Sequence, residues 1–315
     1  MFDFAKKCWF LTGPTASGKT QIALELARLL NAEIISVDSM AIYRAMDIGT
    51  AKPTLEQRAE VAHHLIDIRN PNETFSVSDY LEAAEQVASE IQTRSKEVLV
   101  VGGTPLYLKA MLRGLFDGPP EDPEFRNEVR KELDRVGVEA LHARLQQVDP
   151  LSAAKLHPND VRRIIRALEV YRATGQPISH MQLEFDDAHS ADECRVFALD
   201  WPRPAIHERI EKRVDAMFEE GFVDEVEGLT EQYGAFSKTA SQAVGYKEIL
   251  EFLRGEHKSL EETIELTKTR TRQFAKRQET WFRSLTECRR VRRDSSQTAV
   301  QVAEEILTTA RDQKI

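Results

Sequence analysis

Residues 13–20 constrain the fold of this chain more than any other stretch, because they fit the pattern G-x-x-x-x-G-K-[ST]. An apolar run at 8–11 precedes the motif, and a helical pattern of apolar residues at 22–30 follows it. A strand, a glycine loop and a helix in this order form a phosphate cradle, where backbone N–H groups and the positive helix end surround one anion. The residues predicted to bind the phosphates are Gly13, Pro14, Thr15, Ala16, Ser17, Gly18, Lys19 and Thr20.

The last two residues of the motif carry the chemistry. Lys19 supplies a mobile positive charge, and the Thr20 hydroxyl is placed to bind a Mg²⁺ ion. The motif predicts a di- or triphosphate ligand without distinguishing between the two.

Composition sets the broad class of the protein. The 315 residues, 41% hydrophobic and 30% charged, are typical of a soluble globular chain. The sequence has no apolar run of about 18 residues, so it predicts no membrane span. Cys8, Cys194 and Cys288 lie too far apart to indicate a metal site or a disulfide framework. We therefore expect a cytoplasmic protein, and a monomer.

The charge is unevenly distributed. The net charge of −9 would disfavour a polyanionic partner if it were spread evenly. However, residues 268–293 hold ten Lys and Arg against two Glu, and residues 162–172 hold a second cluster of four Arg. Since salt screens distant charges, these two basic tracts indicate a local polyanion site. The alternative is that each tract is the solvated face of a helix.

Five further segments are predicted to be strands, at 33–37, 63–67, 98–101, 195–199 and 288–293. Helical segments separate them, which predicts an α/β fold: a P-loop NTPase-like core with a mainly parallel sheet flanked by helices. Ligands bind at the carboxyl ends of the strands in such sheets. The glycine loop, Asp38 and Gly102-Gly103-Thr104 all follow strands, so we expect them to meet in one cleft. His63 and His64 alternate across a strand and are interpreted as structural.

The chain is predicted to contain a helical insertion at 119–193, with the core formed by 1–118 and 194–315. The insertion shows helical patterns at 125–136, 141–148 and 160–172. In the core, the predicted helices are 76–91, 204–221, 241–253, 260–285 and 298–312, with one further short helix between 39 and 53. Gly245 falls inside a predicted helix, which close backbone approach would explain.

Asp38 is the one carboxylate directly after a buried strand near the glycine loop. It is either an outer ligand of Mg²⁺ or a general base, and the spacing does not decide between them. The strand at 98–101 ends in Gly-Gly-Thr, whereas an ordinary P-loop ATPase has an Asp at the end of such a strand. This difference disfavours ATP hydrolysis.

A resemblance to one family extends in order from residue 13 to about 283. The sequence resembles the tRNA dimethylallyltransferase family, bacterial type. The matching segments are 13–20, 38–40, 43–44, 46–53, 63–67, 102–104, 159–160, 162–171, 245–248, 275–278 and 280–283. Ala41 and Pro105 depart from the family pattern, which commonly has Gln and Gly there.

The resemblance implies transfer of a dimethylallyl group from dimethylallyl diphosphate to N6 of the adenosine at tRNA position 37, next to the anticodon. It implies that Asp38 is the general base, that Thr104 contacts the reacting adenosine, and that Lys19 and a Mg²⁺ on Thr20 stabilise the leaving diphosphate. The implied partners are the tRNA anticodon stem-loop and dimethylallyl diphosphate, with no membrane. The extruded base would enter a channel bordered by Ser39 and Met40.

The resemblance also implies the residues that contact tRNA. Besides Asp38 and Thr104, they are Ser39, Met40, Ala41, Arg126, Arg162, Arg163, Ile164, Ile165, Arg166, Gly245, Tyr246, Lys276, Arg277, Gln278, Trp281 and Arg283. For Trp281, we expect a core position rather than a stacking platform for a base.

Two other functions are compatible with parts of the sequence. A kinase of a nucleotide or small metabolite shares the glycine loop, a helical insertion and a catalytic Asp, but it does not need the basic tract at 268–293. A nucleotide-controlled RNA-binding protein without transfer chemistry does not need Asp38 and Thr104 at converging strand ends.

Overall fold

The structure is a computed structural model that describes residues 4–116, 118–182 and 189–311. It divides into two compact units, Met1–Leu112 with Ala188–Ile315, and Arg113–Asp187. The division predicted from the sequence placed these boundaries after residues 118 and 193. Asp312, with which the predicted last helix ends, lies outside the described residues.

The first unit contains a six-stranded sheet. Its strands are β1 (Trp9–Thr12), β2 (Ala32–Ser36), β3 (His63–His64), β4 (Glu97–Gly102), β5 (Val196–Asp200) and β6 (Cys288–Arg292). Their order in the sheet is β3-β2-β4-β1-β5-β6, and every adjacent pair is parallel. The six predicted strands and the parallel sheet are thus confirmed. The carboxyl ends of β1, β2 and β4 lie at the same edge of this sheet.

Helices of the first unit surround the sheet. They are α1 (Lys19–Leu30), α2 (Leu55–Glu60), α3 (Val77–Thr93), α4 (Pro105–Arg113), α9 (Arg203–Glu219), α10 (Phe222–Tyr233), α11 (Tyr246–Leu253), α12 (Leu260–Ser284) and α13 (Ala299–Arg311). The strand side chains alternate: Leu11, Leu99 and Phe197 belong to one core cluster with apolar residues of α1 and α13. On α3, the Tyr80 hydroxyl donates a hydrogen bond of 3.0 Å to the Ser36 carbonyl of β2.

The second unit is helical in the part the structure describes. Its helices are α5 (Pro123–Val148), α6 (Pro150–Lys155), α7 (Val161–Thr174) and α8 (Ile178–Gln182). Helix α5 is interrupted at Gly137, whose φ of 83° is not helical, so the two helices predicted at 125–136 and 141–148 correspond to its two halves. Apolar residues of α5 and α7, among them Phe125 and Leu168, form the core of this unit.

Three local predictions need correction. Residues 39–53 form turns instead of a short helix, and Tyr43 makes an isolated bridge to Arg69. Helix α11 begins at Tyr246, so Gly245 precedes the helix, with a φ of 92°. Trp281 is half-buried and is not part of the buried core. Helix α10 was not predicted from the sequence pattern at 222–233.

Candidate active site

The phosphate loop connects β1 to α1. Gly13 (φ 147°) and Gly18 (φ 86°) both adopt positive φ, a backbone conformation that glycine tolerates and other residues rarely adopt. A Cβ at Gly13 would lie 3.1 Å from the Leu199 carbonyl oxygen, so the neighbouring strand also leaves little room there. Helix α1 begins at Lys19 directly after the loop. The loop therefore has the strand–turn–helix context that the motif requires.

Lys19 is half-buried at this loop. Its Nζ donates hydrogen bonds to the carbonyl oxygens of Gly13 (3.0 Å) and Pro14 (2.8 Å). Burial, reinforced by the positive charge of Arg213, lowers the pKa of the Lys19 ammonium to about 7, while the negative charge of Asp38 acts in the opposite direction. The phosphate lysine and the predicted base are therefore close enough for their charges to interact.

Asp38 follows β2 and closes the next turn with one of its two oxygens. Oδ1 accepts hydrogen bonds from the backbone N–H groups of Met40 (2.9 Å) and Ala41 (3.3 Å). A short Asp side chain commonly stabilises a turn in this way. Both bonds fall on Oδ1, so they fix the orientation of the carboxylate without engaging Oδ2.

Thr104 and Ser39 join the carboxyl ends of β4 and β2. The Thr104 Oγ1 accepts a hydrogen bond from the Ser39 N–H (2.9 Å) and lies 3.3 Å from the Ser39 Oγ, to which it donates. The Thr104 N–H donates to the Val37 carbonyl (3.2 Å). A Cβ at Gly102 would lie 2.4 Å from that same carbonyl oxygen, which explains the glycine. The two loops that carry Asp38 and Thr104 are thus fixed to each other.

One cavity of about 400 Å³ brings these groups together. This volume is within the usual range for small-molecule sites. Its lining includes residues 15–20 of the phosphate loop, residues 38–41, and Thr104. Apolar side chains of α9, α10 and α12 form one wall of the lining, among them Val214, Met217, Phe222 and Phe274. The cavity thus combines an anion-binding loop, a carboxylate and an apolar wall.

The wall around Phe222 is closely packed. The Phe222 ring makes an edge contact with Tyr246, with ring centroids 4.9 Å apart. The Tyr246 hydroxyl donates a hydrogen bond of 2.6 Å to Glu225, which also accepts bonds from the backbone N–H groups of residues 47, 48 and 49. A Cβ at Gly49 would lie 2.2 Å from the Phe222 ring, and one at Gly245 would lie 2.6 Å from it. Close approach therefore explains both glycines.

Sequence reasoning missed the side chains from distant parts of the chain that donate hydrogen bonds to the phosphate loop. Trp201 Nε1 donates to the Ser17 carbonyl (2.9 Å), and Arg209 Nε donates to the Ala16 carbonyl (2.7 Å). Arg213 donates to the Thr15 hydroxyl (3.4 Å) and lines the cavity. The one available signal was the four-residue spacing of Arg209 and Arg213 on a predicted helix, which places both on one face.

The predicted tRNA contacts in the first unit fall into three groups by exposure. Five are half-buried, namely Asp38, Ser39, Met40, Thr104 and Trp281. Lys276, Arg277 and Arg283 are exposed on α12. Tyr246 and Gln278 are buried, with 0% and 3% of their surface exposed, and Gly245 and Ala41 are buried as well. Direct contact of the buried group with tRNA stays a prediction; Ala41 and Gln278 line the cavity, whereas Gly245 and Tyr246 are not among its lining residues.

The predicted contacts in the second unit divide in the same way. Arg162 and Arg163 are exposed on α7, whereas Ile164 and Ile165 belong to the buried core. Arg126 and Arg166 both pair with the buried Glu169, at 2.7 Å and 2.6 Å. Burial acts to raise the pKa of Glu169, but the net shift is downward, because hydrogen bonds from the two arginines and the Asp122 N–H, together with the charge of Arg126, act against it. Arg126 and Arg166 thus have a structural role in this unit, and their contact with tRNA stays a prediction.

No helix within the described ranges is long and apolar enough to cross a membrane. The fold and the cavity together define an α/β protein of the P-loop NTPase-like class, in which an acid and a hydroxyl at the strand ends line the same cavity as the phosphate loop. The sequence profile of the IPP transferase family matches residues 41–285. The chain belongs to the tRNA dimethylallyltransferase family.

Individual relatives support this assignment. A tRNA dimethylallyltransferase of Rhodopirellula baltica is 53% identical over 287 residues, which cover 89% of this chain and 86% of the relative. The crystal structure of the tRNA isopentenylpyrophosphate transferase of Bacillus halodurans aligns with a TM-score of 0.69 at 38% identity, covering 98% of each chain. A eukaryotic dimethylallyltransferase acting on tRNA aligns with a TM-score of 0.78 at 30% identity, covering 97% of this chain and 78% of the other. These similarities do not favour the kinase alternative.

Proposed function

We propose that this protein transfers the dimethylallyl group of dimethylallyl diphosphate to N6 of the adenosine at tRNA position 37, in the cytoplasm. One observation supports this most directly: the phosphate loop, Asp38 and Thr104 line the same cavity as an apolar wall. An allylic diphosphate has one anionic end and one apolar end, so it matches the two kinds of lining.

In the proposed reaction, the adenine N6 forms a bond to C1 of the dimethylallyl group as the bond from C1 to the diphosphate oxygen breaks. The adenine amine is a poor nucleophile, because its lone pair is conjugated with the ring. Asp38 Oδ2 accepts the N6 proton, while Oδ1 stays bound to the Met40 and Ala41 amides. Base assistance of this kind contributes about 10²–10⁴-fold. The diphosphate leaves with both electrons of the broken bond.

The leaving diphosphate is stabilised by the phosphate loop in this proposal. Charge builds on the diphosphate oxygens in the transition state, and preorganised N–H donors stabilise that charge most strongly. Lys19 and Arg213 line the same cavity and contribute positive charge. Hydrogen bonds from Trp201 and Arg209 fix the backbone of this loop. Its N–H groups therefore need little rearrangement when the diphosphate binds.

We further propose Mg²⁺ as the divalent metal. Within the described residues there is no cluster of three or more His, Cys, Asp or Glu that could form an all-protein metal cage. Mg²⁺ is commonly held by one or two protein oxygens together with substrate phosphates, and the Thr20 hydroxyl in the cavity fits that arrangement. When bound, the ion would neutralise part of the charge on the diphosphate.

tRNA is proposed to bind through exposed basic residues, which are Lys276, Arg277 and Arg283 in the first unit and Arg162 and Arg163 in the second. Basic side chains hold RNA phosphates, whereas loop bases are recognised at exposed edges and faces. Because the cavity holds the base and the phosphate loop together, the adenosine must leave its stack to react.

The decisive experiment is incubation of the protein with unmodified tRNA, dimethylallyl diphosphate and Mg²⁺, followed by mass spectrometry of the digested RNA. We expect one C5 unit on a single adenosine next to the anticodon. Phosphate transfer from ATP to a small metabolite, with no prenylated nucleoside, would contradict the proposal and support a kinase.

A further inference from the structure

Gln278 of α12 connects two parts of the active site through its side-chain amide. Its Oε1 accepts a hydrogen bond from the Thr15 N–H of the phosphate loop (2.8 Å). Its Nε2 donates to the Gly103 carbonyl at the end of β4 (2.6 Å). The residue is only 3% exposed, and the bond to Gly103 is buried while the bond from Thr15 is partly buried at the cavity. One amide thus joins the phosphate loop to the loop that carries Thr104.

Gly103 leaves the space that this connection needs. A Cβ at residue 103 would lie 2.6 Å from Gln278 Nε2, closer than a side chain can approach. The same Cβ would lie 3.7 Å from the Lys19 Nζ, so the amide and the phosphate lysine lie on the same side of this loop. The glycine therefore permits the direct contact between α12 and the end of β4.

The connection continues from Gly103 to the proposed base. Thr104 is the next residue, and its hydroxyl accepts a bond from the Ser39 N–H (2.9 Å). Ser39 in turn follows Asp38. A series of covalent and hydrogen bonds therefore connects Thr15 of the phosphate loop to Asp38. It passes through Gln278, Gly103, Thr104 and Ser39. Transfer requires the leaving group and the base to lie on either side of one reacting centre at a fixed spacing.

We infer that Gln278 is a positioning residue, which sets the distance between the diphosphate cradle and the Asp38–Thr104 pair. It contacts neither substrate in this role, so its part differs from the tRNA contact that the family resemblance implies. The inference rests on the proposed function, because it concerns the geometry of the transfer step. Lys276 and Arg277 are exposed on the same helix and remain available to tRNA.

The test compares two substitutions at 278 with a matched control. Gln278→Met keeps the length of the side chain and removes both hydrogen bonds, while Gln278→Glu keeps an acceptor for Thr15 but removes the donor to Gly103. The control is Gln273→Met on the exposed side of the same helix, where the amide bonds only to Arg270 of its own helix. Single-turnover rates at saturating substrates, the Kd for tRNA and the Kd for inorganic diphosphate are measured for all.

For Gln278→Met we expect the single-turnover rate to fall by about 10²-fold, since a misplacement of about 1 Å can reduce a rate this much. The Kd for tRNA should stay as in the unsubstituted protein, and Gln273→Met should leave all three quantities unchanged. Gln278→Glu should also lower the rate, because it places an acceptor against the Gly103 carbonyl.

Three outcomes would overturn the inference. An unchanged single-turnover rate for a folded Gln278→Met protein would show that the connection does not position the site. A raised Kd for tRNA with a normal rate at saturation would make Gln278 a tRNA contact. If Gln278→Met does not fold, an unchanged saturated rate in a folded Gln278→Glu protein overturns it equally. Absence of prenyl transfer by the unsubstituted protein would instead reject the proposed function, so the two failures are distinguishable.

Discussion

The Thr104 hydroxyl accepts a hydrogen bond of 2.9 Å from the Ser39 N–H, and this bond joins the carboxyl ends of β4 and β2 beside Asp38. A hydroxyl at residue 104 therefore fixes the loop that carries the proposed base. The methyl group of the threonine plays no part in this bond.

We expect Thr104→Val to lower the single-turnover rate by about 10-fold or more, because an unpaired donor costs about 1–3 kcal/mol. Thr104→Ser is the matched control, since it keeps the hydroxyl and should retain most of the rate. Rapid-quench assays with saturating tRNA measure both. Equal rates for the valine and serine variants would show that the hydroxyl is dispensable.

Asp38→Asn should abolish most of the transfer and leave diphosphate binding intact. The asparagine keeps an oxygen for the Met40 and Ala41 amides but cannot accept the N6 proton. The expected loss is about 10²–10⁴-fold in rate. Calorimetric titration with inorganic diphosphate measures the Kd of the variant and of the unsubstituted protein. If that binding is lost together with the rate, Asp38 acts at the phosphates or the metal instead of at the adenine.

The lowered pKa of Lys19 predicts proton uptake when diphosphate binds. Burial brings this pKa to about 7, so above pH 7 a growing fraction of the protein has a neutral Lys19. A bound diphosphate favours the charged form and raises the pKa again. The contribution of Lys19 to diphosphate affinity should therefore decline as the pH rises above 7.

Titration calorimetry at pH 8 in two buffers of different ionisation enthalpy measures this uptake directly. Lys19→Met is the control, because the diphosphate's own protons then account for all of the signal. The same proton uptake in both proteins would mean that Lys19 is already charged before the ligand binds.

Gly49→Ala should destabilise the protein through the wall around Phe222. The added methyl would lie 2.2 Å from the Phe222 ring and 2.4 Å from the Tyr246 ring. Overpacking of this kind costs about 1–3 kcal/mol. Gly228→Ala is the matched control: nothing lies within 4 Å of its Cβ position in α10, so alanine should stabilise the helix by about 1 kcal/mol. Urea unfolding gives the free energy of unfolding of both variants. A Gly49→Ala protein as stable as the unsubstituted protein would contradict the packing described.

Two arginines of α7 should respond differently to alanine. Arg162 is exposed, so Arg162→Ala should weaken tRNA binding and reduce the slope of log Kd against log salt by about 1. Arg166 pairs with the buried Glu169, so Arg166→Ala should mainly lower the melting temperature. Filter binding at several salt concentrations and thermal unfolding separate the two effects. An unchanged salt slope for Arg162→Ala would place that arginine on a solvated face.

The sequence predicted the parts of the site that depend on local patterns. The motif at 13–20 required a strand before it and a helix after it, and the parallel arrangement then placed Asp38 and Thr104 at the same sheet edge. The family resemblance added the substrates, which no spacing could supply.

The rest depends on contacts between residues far apart in the chain. Trp201 and Arg209 reach the phosphate loop from more than 180 positions away, as the separations of 184 and 193 show, and no local pattern encodes such bonds. The family resemblance implied that Gln278 contacts tRNA, but it could not show that the amide is buried and bonds to the phosphate loop. The predicted helix at 241–253 included Gly245, but a φ of 92° is not helical, so the helix begins at the next residue.

The position of β1 has a consequence for biosynthesis. This strand lies between β4 and β5, and β5 begins only at Val196. While a ribosome is still adding the preceding residues, β1 is an edge strand with one side unpaired. The phosphate-binding motif is thus translated first but completed late, because β5, Trp201 and Arg209, which pair with β1 or bind the loop, are made only after the middle of the chain.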